Sequence, residues 1–111
     1  KLSQGLWFAW NWNGITGDAS VFDGSYGNIL HIGGVLLNNE ARTPLFKPEE
    51  AWNIDTKLDD GLPGQGKMIG RDYFGFTGTN CTTATASTQT SATYYLAGTA
   101  KTCTLFFREA F

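Results

Sequence analysis

Residues 48–67 read PEEAWNIDTKLDDGLPGQGK, and the fold class of the whole chain turns on this stretch. Pro48 suits the first position of a helix, where its missing N–H is no loss and its φ is already helical. Glu49 and Glu50 follow in the first turn, where carboxylates meet the positive end of the helix dipole. Ala51, Ile54 and Leu58 recur at i, i+3 and i+7, which predicts one apolar stripe with Trp52 at its edge and Asp55, Asp59 and Asp60 mostly off it. Gly61 is a natural left-handed terminator and Pro63 prevents a restart. The spacing therefore predicts a short helix over about residues 48–60. Gly64 and Gly66 then turn the chain into a strand beginning at Lys67-Met68-Ile69. No other stretch carries a strong helical signal.

Outward from this helix the chain reads as strand and loop. Residues 1–13 are intensely aromatic, with Trp7, Phe8, Trp10 and Trp12 on an extended segment that ends at the turn signal Asn13-Gly14. Trp7, Trp10 and Trp12 cannot all share one strand face without a bulge. Residues 28–37, NILHIGGVLL, form the most apolar run and predict a buried strand, interrupted or bulged at Gly33-Gly34. Beyond the helix, Tyr73, Phe74 and Phe76 make a second aromatic patch, and residues 78–91 are a Thr/Ala/Ser/Gly-rich stretch expected to be a solvated loop or a poorly packed edge. Residues 93–96 and 102–107 predict the two arms of an antiparallel hairpin around Ala97-Gly98-Thr99. The sum is a β-rich α+β fold: an antiparallel sheet with one short helix, in one domain over residues 1–111.

Composition narrows the classes of function. Hydrophobic residues make up 41% of the 111, enough to fold around a core, and a net charge of −2 argues against nucleic acid as a main partner, since phosphate binding needs clustered Lys and Arg. No apolar run approaches the 18 residues of a membrane-spanning helix. The two cysteines, Cys81 and Cys103, are either reduced or paired. The Gly/Thr/Ser-rich context and scarcity of lysine favour an exported protein, and hence a disulfide.

The sequence offers few groups for chemistry. His31 is the only histidine, flanked by Leu30 and Ile32 with no nucleophile motif nearby, and reads as a strand histidine on the less buried face, not as a general base. GLPGQGK lacks the strand-before, helix-after setting of a phosphate loop. No enzymatic function is expected. Asp55, Asp59 and Asp60 have the character of a calcium-ligand set without the spacing of an EF-hand, and their plainer role is to bond backbone N–H groups of the GLPGQG turn. Asn80-Cys81-Thr82 matches the N-glycosylation pattern, although its cysteine is better used in a disulfide. Trp7, Trp10, Trp12 and Tyr26 either fill the core or present flat faces for an interface or for sugars.

The segments GNILHIGGV, LFKPEEAWNIDTKLDDGLPGQGK, NCTT, TYYL and KTCTLFF together resemble the periplasmic domain of bacterial type IV prepilin-like proteins, the pilins and type II secretion pseudopilins, over about residues 26–107. The resemblance implies an extracytoplasmic filament subunit: a β-rich head carried on a long hydrophobic N-terminal helix, with a disulfide near the C-terminus. Cys81 and Cys103 match the family's disulfide pair, and Asp55, Asp59, Asp60 and Gly61 its acidic helix-end motif. The hydrophobic helix and its cleavage site do not occur in these 111 residues, so the expectation is a C-terminal head whose helix lies upstream or comes from a separate chain. Implied partners are further copies in a filament, that helix chain, and a membrane only through the helix. The runner-up, from a different class, is a secreted carbohydrate-binding module using Trp7, Trp10 and Trp12.

Overall fold

The computed structural model describes residues 4–34 and 44–111, with side chains from residue 9 to 33 and from 44 onward. Its elements are β1 (Gln4–Ala9), β2 (Ile29–Gly34), α1 (Pro48–Leu58), β3 (Met68–Asp72) and β4 (Cys103–Phe107). The four strands form one antiparallel sheet in the order β1-β2-β4-β3, so the last strand lies inside the sheet. The α+β class, the single short helix and the disulfide between Cys81 and Cys103 are all present.

β4 organises the core because its alternating side chains serve both sheet faces. Cys103 and Leu105 join Ala51, Met68, Cys81 and Tyr94 on the face covered by α1, with Phe46, Ile54 and Phe107 packed around them. Phe106 points the other way, into Ala9, Val21, Phe22, Tyr26, Ile29, Ile69 and Ala84. Residues 10–28, largely irregular, cover that second face. Their polar groups are satisfied locally: the Trp12 N–H donates to Gly27 O, the Tyr26 N–H donates to Trp12 O, and Ile15 and Gly24 bond each other in both directions.

The helix begins where the sequence predicts. Lys47 is its N-cap, and the Lys47 N–H donates to Glu50 Oε1 at 2.8 Å, satisfying one donor at the helix entrance. The buried face differs from the predicted stripe. Ala51 is buried and Ile54 half-buried, but Leu58 is 63% exposed, whereas Asp55 is fully buried. The inner face thus runs through residues 51 and 55, and the last turn lifts Leu58 away from the sheet.

Four further expectations are corrected. The β1–β2 ladder continues in register through Gly5 opposite Gly33 and Gln4 opposite Gly34, so there is no bulge at the glycine pair. Residues 93–96 are not a hairpin arm: both edges of β4 are taken by β2 and β3, and Tyr94 instead makes an isolated bridge to Thr82. Residues 78–91 are a loop with many exposed residues, as expected, but not a poorly packed one, because Cys81, Thr82, Ala84 and Ser87 are buried. His31 does not lie on an open face: it is fully enclosed, with Nε2 2.9 Å from Thr104 Oγ1 and its ring edge-on to Phe106. Residues 35–43, which include the end of the apolar run, lie outside the described residues.

Candidate functional site

The end of α1 and the GLPGQGK turn form one interlocked unit in which three carboxylates hold backbone. Asp55 Oδ1 accepts the Gly61 N–H at 3.1 Å and Asp55 Oδ2 accepts the Tyr94 hydroxyl at 2.7 Å. Asp59 Oδ2 accepts both the Lys67 and Met68 N–H groups, at 2.8 and 3.1 Å, and Asp60 Oδ1 accepts Leu62 N–H at 2.9 Å. The acidic cluster is therefore the cap of the helix and the start of β3 in the same motif. Gly61, at φ +75°, makes the left-handed exit that lets the chain double back. Gly66, at φ +78°, passes so close to the carboxylates that a Cβ there would sit 2.1 Å from Asp59 Oδ2. Pro63 O then accepts the Gly70 N–H at 2.8 Å, which closes the outer edge of β3.

One carboxylate oxygen from each of Asp55, Asp59 and Asp60 can be chosen so that all lie within 4.8 Å of one another, close enough to hold a hard cation such as calcium. Both Asp55 oxygens and one from each of the other two already accept protein donors, so capping is the role the geometry fulfils. The clustering has an electrostatic consequence. Burial, with Asp60 and Asp59 adding to it, raises the Asp55 pKa to about 6, although the bonds from Tyr94 and Gly61 oppose the rise. Tyr94 is in turn held well above the usual tyrosine range, first by its burial and then by the Asp55 charge.

A second buried carboxylate stands at the far end of β3. Asp72 accepts the Cys81 N–H, the Thr82 N–H and the Thr82 hydroxyl, at 3.1, 3.1 and 3.0 Å, and burial raises its pKa despite those three bonds. It fixes the approach of Cys81 to Cys103, whose Cα atoms are 5.1 Å apart. Asp55 and Asp72 thus grip the 81–94 segment at both ends. Nothing in the sequence marks Asp72 or Tyr94 for these roles, since each partner is at least nine residues away. The same contacts close the sequon: Thr82 is buried on Asp72, and Asn80 Nδ2 donates to Gly75 O at 3.1 Å.

The aromatic candidates separate. Tyr26 is core, 1% exposed, with its hydroxyl donating to Phe22 O and its pKa raised to about 12, chiefly by burial. It is neither an interface residue nor a sugar platform. Trp12 is half-buried against Tyr26 and Phe106, with the Arg71 guanidinium 5.9 Å from its ring centre. Trp10 alone of the described candidates is open, 69% exposed and edge-on to Phe111 at 4.7 Å. Trp7 lies opposite His31 in the β1–β2 register, but its side chain is outside the described residues. Trp10 and Trp12, the two whose side chains are described, therefore do not form one flat, exposed row.

Comparison with protein-family models, with curated proteins and with solved structures finds no match to this chain. Among the described residues no helix is long and apolar enough to cross a membrane. A buried disulfide in a small fold is compatible with an oxidising, extracytoplasmic compartment.

Proposed function

We propose that the chain is the β-rich head of a pilin-like or pseudopilin-like filament subunit, working through protein–protein packing. The observation that carries this reading is how the residues of the resemblance are used. KPEEAWNIDTKLDDGLPGQGK, NCTT, TYYL and KTCTLFF form one mechanical assembly of helix, carboxylate cap, β3, disulfide and β4. The polar groups that would otherwise invite a catalytic reading, Asp55, Asp72 and His31, all lie inside the fold and bond protein groups. Such a head would stand outside the cytoplasm, with its hydrophobic helix upstream or on a separate chain.

Exposed aromatic area is where a packed subunit meets its neighbours, and Trp10 with Phe111 supplies it here. The test is photo-cross-linking in the producing cell, with a photoreactive amino acid in place of Trp10. The filament reading expects a ladder of adducts containing further copies of this chain or subunits with a hydrophobic helix. Adducts confined to unrelated soluble proteins, or an uncross-linked monomer throughout, overturn it.

A further inference from the structure

Away from the helix end, three loops converge on an open cleft of about 410 Å³, lined by Gly17, Asp18, Ala19, Gly75, Phe76, Thr85, Ala86 and Ser87. None of these residues belongs to the capping unit. We propose that this cleft is a binding site for a neutral sugar unit, a function independent of the filament reading.

The walls are held together before any ligand arrives. The Phe76 N–H donates to Ala19 O at 3.1 Å, joining the first wall to the second. The Asp23 N–H donates to Ser87 O at 3.0 Å and the Gly17 N–H to Asp23 Oδ1 at 3.0 Å, joining the first wall to the third. Binding to such a site avoids much of the cost of ordering loops. The size falls within the range of small-molecule sites, which combine an apolar surface with a few placed polar groups.

The lining has the chemistry of a sugar and not of an ion. Phe76 is braced by a tilted contact with Phe22, with centroids 4.8 Å apart, and supplies an apolar wall of the cleft, suited to the C–H face of a pyranose. Asp18 Oδ1 already accepts the Ser20 N–H, the Ser20 hydroxyl and the Val21 N–H, while its Oδ2 has no partner among the described residues and can accept from a ligand hydroxyl. Ser87 is only 6% exposed, but its hydroxyl, which bonds no other described residue, is open to solvent in the cleft. A solvent-facing hydroxyl of this kind can exchange its bond to water for one to a ligand hydroxyl. No Lys or Arg lines the cleft, which leaves an anionic ligand nothing to pair with, and one carboxylate is too few for a metal ion.

The experiment is a titration of the ¹⁵N-labelled chain with glucose, galactose, mannose and N-acetylglucosamine, followed by amide shifts and by saturation transfer from the protein to the sugar. The proposal expects saturable shifts for at least one sugar, centred on residues 17–19, 75–76 and 85–87. Ala86→Trp, which fills the cleft from an exposed position, should weaken binding at least tenfold. Ser87→Ala and Asp18→Asn should each weaken it about two- to tenfold, the worth of one hydrogen bond. Unchanged thermal midpoints establish that the variants fold. No saturable shift with any of the four sugars overturns the proposal, as does binding that survives Ala86→Trp or that maps to Trp10.

Discussion

At the residue scale, two side-chain choices hold the helix end together, and each makes a measurable prediction. Gly66 combines a left-handed backbone with a carboxylate where its Cβ would be. The conformation alone costs an L residue about 1–2 kcal/mol, and the contact adds to it. Gly66→Ala is expected to lower the free energy of unfolding by about 2–4 kcal/mol in a denaturant titration. Asp55 sets a pH dependence whose sign is opposite to that of a salt-bridged aspartate. Its pKa rises from 3.8 unfolded to about 6 folded, so the folded chain binds this proton more tightly. The resulting stabilisation is fully present below about pH 4 and is lost as pH rises through about 6. Asp72 acts in the same direction. The Asp55 contribution is on the order of 2 kcal/mol between pH 4 and pH 7, and Asp55→Asn should flatten that part of the stability profile, measured by urea unfolding at a series of pH values. A profile of unchanged slope in the variant would show that Asp55 is not the group responsible.

At the element scale, what was legible in the sequence was what local rules determine. Pro48 opens α1 and Gly61 turns the chain back two residues beyond the C-cap Asp59, because a missing N–H and a left-handed exit act within a turn of the chain. The strand expected from Lys67 starts one residue later, at Met68, directly after the glycine turn. The interior of the helix was less legible, since an apolar stripe assumes that the inward face is apolar throughout, and here a hydrogen-bonded aspartate takes the place expected for Leu58. The hairpin at residues 93–107 failed for a related reason. Neighbouring segments pair by default, but β4 finds better partners in β2 and β3, which arrive from far along the chain. His31 was misread because flanking apolar residues cannot say which sheet face is covered by loops. Two substitutions separate these accounts. Phe106→Ala, in the fully buried centre of β4, should cost about 3–5 kcal/mol, whereas Leu58→Ala should change stability by no more than about 0.5 kcal/mol. A large loss at Leu58 would show that the apolar stripe reaches the core through the last turn.

At the scale of the whole molecule, the 81–94 segment is held by a disulfide, by Asp72 and by Asp55 through Tyr94, so a stretch with no regular structure still reaches the core. The Cys81 and Cys103 bridge spans 22 residues and contributes about 3 kcal/mol by restricting the unfolded chain. Reduction should lower the unfolding midpoint accordingly, with the largest gain in hydrogen exchange in residues 81–94. Equal exchange before and after reduction would show that the carboxylate clamps suffice. On the proposed filament reading, stabilisation of this kind would let a subunit stay folded outside the cell while its neighbours pack around it. The most direct test is to recover the native polypeptide with an antibody against this head and determine its N-terminal sequence, together with that of any chain that stays bound in mild detergent. The filament reading predicts an apolar helix of about 20 residues, joined upstream to the head or held on a co-purifying chain. A freely soluble polypeptide with no such helix on itself or on any partner would contradict it.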